Sequence, residues 1–303
     1  MIPEQIPDYG EQAVVLAGQT NWLIAGKNGS LVDTMIFANI NPETRRITLI
    51  SLPRDLYYNN RKINSYYALY GLDEMKRVLS TITGFQIDRY IMVDMYAFIE
   101  VIDLIGGVDV HLEEAVIDPT YRVNDGGQWS TLYYRAGDHH LSGKQALRLA
   151  RTRHTSSDFA RAERQQMILK SIQAKARNFG FGDADKLSSL ATAVLSRTET
   201  DIGLAEALAS YFRFQGFEIA GGNVLSSGNV LESKDTGAKK REDCLGALAV
   251  RQDSAAPDGG EDFQKARAAC EALKGEYILL PRNGNWNTIR WYFHQLLEAQ
   301  PVL

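Results

Sequence analysis

Cysteine and histidine are scarce, and the two cysteines and five histidines show no Cys/His or H-x-x-x-H ligand spacing, even where two histidines adjoin at His139-His140. A zinc hydrolase therefore has no ligand motif here. The Gly26-Lys27 pair lacks the leading glycine of a phosphate loop, and no G-x-S-x-G elbow occurs, which leaves nucleotide kinases and serine hydrolases without their machinery. An excess of positive charge is also missing. With 33 Lys and Arg against 37 Asp and Glu, the formal net charge is −4, and a general nucleic-acid binder would be basic overall. No apolar run reaches the length that spans a bilayer, and Met1-Ile2-Pro3-Glu4 does not open a signal peptide. The expectation is a cytosolic protein or one whose N-terminal membrane segment lies outside this sequence. Cys244 and Cys270 suit one disulfide in an oxidising compartment, or two thiols.

What the chain does have is a concentrated run of arginine in an acidic background. Between Gln145 and Gln166 it places Arg148, Arg151, Arg153, Arg161 and Arg164, offset only by Asp158 and Glu163. Gln145 to Arg151 has helical spacing, the breaker and cap residues of Thr152 to Ser157 follow, and a second helix is expected from Ser157 or Asp158. In that helix Asp158, Arg161 and Gln165 share a face. A helix start beside paired guanidinium forks suits a polyanion, most directly phosphate. The competing reading is a solvated basic face with ordinary ion pairs.

Around this run the pattern is that of a layered α/β domain. Trp22–Ala25, Thr34–Ile40 and Arg46–Leu52 read as strands, the last two joined by a turn at Asn41-Pro42-Glu43-Thr44. Asp33 sits at one strand mouth and Arg54-Asp55 just past another strand end. Leu72, Met75, Leu79 and Ile82 form a helical stripe that stops at Gly84. A strand at Ile87–Met95, a helix at Tyr96–Ile105 and a strand at Val108–Leu112 follow. Residues 114–141 read as a long excursion, and a terminal helix is expected from about Asn287 to Glu298. The domain plan is a lead-in at 1–20 and a single domain at 21–303, with a surface insertion at about 233–274 that holds both cysteines.

Several motifs in order carry a resemblance: Asp33-Thr34-Met35, Ser51-Leu52-Pro53-Arg54-Asp55, Lys62-Ile63-Asn64, Ile105-Gly106-Gly107-Val108-Asp109-Val110, Leu141-Ser142-Gly143-Lys144-Gln145, Arg151-Thr152-Arg153, and Asp158 through Arg161 to Gln165. On these the chain resembles the LytR-CpsA-Psr family of cell-wall glycopolymer transferases. The resemblance implies a central mixed β-sheet flanked by helices. It implies a phosphotransferase that moves a glycan-phosphate from a polyprenyl-pyrophosphate-linked donor to a sugar hydroxyl of a cell-wall polysaccharide, with pyrophosphatase action on the lipid carrier as a side activity. Arg54, Arg151, Arg153, Arg161 and Gln165 would grip the pyrophosphate. Asp33 would hold Mg²⁺, and Asp158 would orient the arginines or cap its helix. The same resemblance implies the extracytoplasmic face of a cell membrane, with anchorage through an N-terminal segment, and no nucleic-acid partner.

Two places depart from the family pattern. Asn28 stands where a carboxylate is usual and Leu31 where an arginine is, which weakens the metal site; Lys27 is the nearest replacement charge. An apolar tunnel for the lipid would draw on Ile91, Val93, Phe98, Ile102 and Leu149, unless these simply fill the core. The alternative function is a protein that captures the lipid without turning it over. The arginine reading makes one prediction from sequence alone. Arg153→Lys, a point charge in place of a fork, should process a pyrophosphate lipid at a clearly reduced rate, and parent-like turnover would contradict the clamp.

Overall fold

The computed structural model describes residues 2–125, 128–152, 158–179, 183–237, 241–245, 261–272 and 275–298. Its spine is the meander β1 (Thr20–Asn28), β2 (Leu31–Asn41) and β3 (Arg46–Leu52), antiparallel throughout. β4 (Arg89–Asp94) adds to β1 in parallel, with β9 (Glu199–Thr200) antiparallel outside it, and β10 (Glu218–Val224) adds to β3 in parallel. The order β9-β4-β1-β2-β3-β10 is the expected mixed sheet.

Strand periodicity splits this sheet into two apolar faces. Leu23, Met35, Phe37 and Ile50 point to one face, where they pack with Met75, Leu79 and Ile82 of α1 (Tyr66–Thr83). Ile289, Phe293 and Leu297 of the terminal helix (Asn287–Leu297) join the same cluster. Each such side chain taken out of water contributes about 1.5–3 kcal/mol. The stripe of α1 ends as its spacing predicts: Gly84 takes φ 82° and donates its N–H to the Ser80 carbonyl. On the opposite face Ile36, Ala38 and Leu49 pack against Leu169 of α4 (Asp158–Ala176).

A second cluster lies beside the sheet. It is built by α2 (Met95–Leu104), β5 (Val108–Leu112), and α3 (Gly143–Arg151) with its neighbours. Ile102 and Leu149 are fully buried there with Val108, Ala146 and Ile168, and Phe98 packs on them. Phe98, Ile102 and Leu149 therefore serve as core; Ile91 and Val93 lie partly buried on β4.

The stretch 114–141 is not the irregular excursion expected from its turn-rich composition. It forms a hairpin, β6 (Val116–Asp125) with β7 (Gln128–Tyr134), and then β8 (Gly137–Leu141), which pairs with β5. Its β-branched and aromatic residues outweigh the turn formers between them. In the insertion Cys244 and Cys270 are joined as a disulfide, Cα to Cα 5.6 Å, so the two-thiol reading falls. The lead-in runs along the fold: Val14 bridges to Phe85, and the Tyr9 ring stacks on His294 at 4.2 Å.

The family-type glycine Gly143 has a packing reason. A Cβ there would stand 2.1 Å from the Ile99 carbonyl oxygen on the backbone of α2. Its own N–H donates to Asp103 at 2.7 Å. Gly143→Ala must push α3 off α2 and should cost about 1–3 kcal/mol in a denaturant titration; an unchanged midpoint would show that this contact yields freely.

Candidate active site

Three of the four described arginines of the segment are buried and not displayed. Ser142 donates its backbone N–H to the Gln145 side chain at 2.9 Å and so opens α3. Arg148 in that helix is 8% exposed, and Arg161 and Arg164 in α4 are 7% and 6% exposed. Arg164 donates to the Leu149 carbonyl at 3.1 Å and the Thr152 carbonyl at 2.7 Å, the free carbonyl end of α3, where a cation is favoured. Burial and the neighbouring Arg161 charge both hold the Arg164 pKa below its ordinary value. Gln165 bridges the segment to the sheet, donating to the Thr34 hydroxyl at 3.1 Å and the Ala150 carbonyl at 3.2 Å.

At the strand ends, Asp33 owes its direction to a β-bulge. Gly26 pairs with Thr34 and Lys27 with Val32, so Asp33 is the extra residue of β2 with no partner on β1. A bulge bends the strand and re-aims its side chain. The Asp33 carboxylate accepts from Arg54 at 2.8 Å, and Arg54 also approaches Asp55 at 3.5 Å. Lys62 pairs with Asp55 at 2.9 Å, and Asn64 donates its N–H to the Arg54 carbonyl at 3.3 Å. The Lys-Ile-Asn motif thus braces the loop that carries Arg54.

These groups meet at a cleft of about 650 Å³, lined among others by Asp33, Thr34, Ser51, Arg161 and Gln165. Asp33, Arg161 and Gln165 line it directly, and Arg54 is tied to it through Asp33. Arg151 is exposed and is not in the lining; its guanidinium reaches the Met95 sulfur at 2.7 Å. Arg153 and the side chain of Asp158 lie outside the described residues, although Asp158 does open α4 as its spacing predicts. Asn28 and Leu31 face each other at the β1–β2 turn. Lys27 does not stand in for missing charge at the cleft, because its ammonium pairs with Glu199 at 2.9 Å and lies over the Tyr67 ring at 5.4 Å. The Glu199 hydrogen bond raises the Lys27 pKa; burial pushes the Glu199 carboxyl up, but hydrogen bonds from Lys27 and Tyr67 outweigh it and lower the net value. Among the described residues no group of three His, Cys, Asp or Glu could hold a metal by itself.

The far wall of the cleft is absent from the expectations above. Val224 to Asn229, with Tyr277 and Leu279 of the strand Tyr277–Pro281, close it. Asn229 shapes that wall by accepting from the Ser226 N–H at 2.8 Å and donating to the Val224 carbonyl at 2.7 Å. The run Ser226-Ser227-Gly228-Asn229 consists of turn-forming residues, but nothing local says what the turn faces.

Residues 8–226 match the model of the LytR_cpsA_psr family. The chain is 27% identical over 223 residues to a Bacillus subtilis (strain 168) protein named polyisoprenyl-teichoic acid–peptidoglycan teichoic acid transferase TagV, covering 68% of this chain and 53% of that protein. It is 28% identical over 292 residues to the cell wall biosynthesis protein LcpA of Corynebacterium glutamicum, covering 82% and 54%. The chain therefore spans about half the length of these curated relatives. The crystal structure of B. subtilis TagV superposes with a TM-score of 0.63 at 22% identity, over 93% of this chain and 98% of that one. TagT bound to LIIa-WTA superposes at 0.61 with 17% identity, over 98% and 94%. Likeness at these identities shows a shared fold.

One buried side chain locks the cleft floor. Gln166, 2% exposed, donates to the Ser51 hydroxyl at 2.9 Å and the Asn223 carbonyl at 3.1 Å, and accepts from the Gly222 N–H. Gln166→Leu strands these groups inside and should cost roughly 2–4 kcal/mol in equilibrium unfolding. A loss below half a kcal/mol would show that water replaces the amide.

Proposed function

The chain belongs to the LytR_cpsA_psr family, and from that footing we propose that it transfers a glycan-phosphate from a polyprenyl-pyrophosphate-linked donor to a hydroxyl of a cell-wall polysaccharide. The observation that carries the reading is that Asp33, Arg161 and Gln165 line one cleft, with Arg54 paired to Asp33, although the four come from three separate parts of the chain. The names of the relatives, polyisoprenyl-linked donors and peptidoglycan acceptors, support the same class of substrate. In the reaction the acceptor oxygen forms a bond to the glycan-bearing phosphorus, the bond to the bridging pyrophosphate oxygen breaks, polyprenyl phosphate leaves with the electron pair, and the acceptor's hydroxyl proton passes to solvent. Hydrolysis of the carrier is the same step with water as acceptor.

The chain's own residues act by position and charge. Arg161 is already desolvated, so its attraction for phosphate is screened less than that of a surface guanidinium. Gln165 adds a neutral donor beside Thr34. Arg54 offers a fork held in place by Asp33 at 2.8 Å and Asp55 at 3.5 Å, and an arriving pyrophosphate would compete with these carboxylates for it. Such preorganised donors stabilise charge that builds on the transferring and leaving oxygens. By the family resemblance Arg151 and Arg153 would extend the clamp and Asp158 would orient them, although Arg151 stands outside the cleft lining and Arg153 and the Asp158 side chain lie outside the described residues. An extracytoplasmic setting agrees with the disulfide, which persists in oxidising compartments.

The donor set fits Mg²⁺ in one specific way. This ion is commonly held by one or two carboxylates, with phosphate and water completing its shell. Among the described residues, Asp33 lines the cleft and its bond to Arg54 uses one of its two carboxylate oxygens. Asp33 is therefore the residue that would hold the metal. When bound, the ion supplies Lewis-acid stabilisation of phosphate charge.

Two measurements test this reading. Arg161→Lys should lower kcat on a polyprenyl-pyrophosphate glycan by about 10²-fold, as loss of one preorganised donor does. Asp33→Asn should abolish stimulation by Mg²⁺ while pyrophosphate affinity in EDTA stays unchanged or rises, since Arg54 is released. Metal dependence identical to the parent's would remove Asp33 from the metal site. Tight lipid binding with no product in any metal would favour a capture protein instead.

A further inference from the structure

Thr152, between Arg151 and Arg153, is fixed at every polar atom it has. Its N–H donates to the Arg148 carbonyl at 3.1 Å and its carbonyl accepts from Arg164 at 2.7 Å. Its hydroxyl donates to a carboxylate oxygen of Asp118 at 2.6 Å. Thr152 is 0% exposed and Asp118 3%. Asp118 comes from β6, remote in sequence, at the point where the β6–β7 register breaks: Asp118 pairs with Leu132 and Arg122 with Thr131, which leaves Pro119, Thr120 and Tyr121 as a bulge. The second Asp118 oxygen accepts from the Thr120 N–H at 3.0 Å, the Thr120 hydroxyl at 2.7 Å and the Tyr121 N–H at 3.0 Å. One oxygen therefore shapes the hairpin and the other reaches across to the arginine segment.

A carboxylate this deep costs several kcal/mol in desolvation unless its bonds repay it. The bulge alone could be made by an exposed Asx turn. The burial of Asp118 is offset by the Thr152 hydroxyl and by the nearby Arg164 charge, which the carboxylate favours. We propose that Asp118 and Thr152 form a positioning pair: the carboxylate fixes the rotamer and backbone of Thr152 and so sets the direction in which α3 delivers Arg151. This rests on the transferase reading for its effect on rate, and on geometry alone for its effect on the segment. Asp118 touches neither substrate nor reacting atoms in this account; it acts through Thr152.

Three variants separate the pair from a general stability role. Thr152→Val keeps shape and removes the hydroxyl, Thr152→Ser restores it, and Asp118→Asn keeps an acceptor for the bulge. Turnover of the lipid substrate and amide hydrogen exchange across the chain are measured at a temperature where all variants are folded by circular dichroism. Thr152→Val should lose about 10²-fold in kcat, the scale set by a misplacement of about an ångström, with KM moving far less. Exchange should rise about tenfold or more in the peptide covering residues 150–161 and stay at parent level in the β1–β3 core. Thr152→Ser should recover most of both, and Asp118→Asn combined with Thr152→Val should be little worse in kcat than Thr152→Val alone. Parent-like kcat and exchange in Thr152→Val would overturn the pair. So would a loss that tracks faster exchange throughout the sheet, because the role would then be structural only. If the parent itself turns over no pyrophosphate lipid, the transferase reading fails, and the local exchange comparison still decides the pair.

Discussion

Keeping positive charge out of water is the constraint on which the rest of this structure depends. Arg148, Arg161 and Arg164 are each less than a tenth exposed in a protein that is acidic overall. A guanidinium in that position must find carbonyls or carboxylates, or it destabilises the fold by several kcal/mol. Arg164 takes the loose carbonyls of α3, which requires α3 to stop at Arg151 and to lie end-on against α4. Gln165 takes another α3 carbonyl, and Gln166 anchors the same helix to the sheet. The position of α4 over β3 and β10 is therefore set by polar bonds as much as by Leu169 and its apolar neighbours. The return for that cost is a cleft wall whose charge is oriented before any ligand arrives.

How much of this was legible in the sequence depended on how local the cause was. The α1 stripe, its stop at Gly84, the β2–β3 turn and the paired arginine helices all follow from spacing within a dozen residues, and each appears where the spacing puts it. The order of motifs carried the family. Features made by distant partners were not legible. Lys27 looked available because Glu199, which holds it, lies 172 positions away on a strand of two residues. The bulge at Asp33 is a property of pairing register, and register cannot be read from one strand. The 114–141 stretch was misread because its glycine and aspartate content signals turns without saying that strands flank them. Asp118 was hidden in the same stretch, since nothing in its neighbours distinguishes a buried aspartate from a turn aspartate.

The boundary of the family match and the boundary of the folded core do not coincide. The match ends at residue 226, yet Val230, Leu231, Leu279, Ile289, Phe293 and Leu297 all belong to the main apolar cluster. Phe293 meets Phe37 edge to face at 5.1 Å, so the last helix completes the surface laid down by the second strand. Contacts of such sequence separation are slow to form, because loop-closure entropy is lost before they contribute. A ribosome-bound chain that has emerged only through α4 thus holds its arginines and its Asp33 but not the lid of its own core. A gene fragment trimmed to the recognisable homology would leave one face of the sheet bare. For this protein the unit of recognition is shorter than the unit of folding, and expression boundaries belong at the far end of the terminal helix.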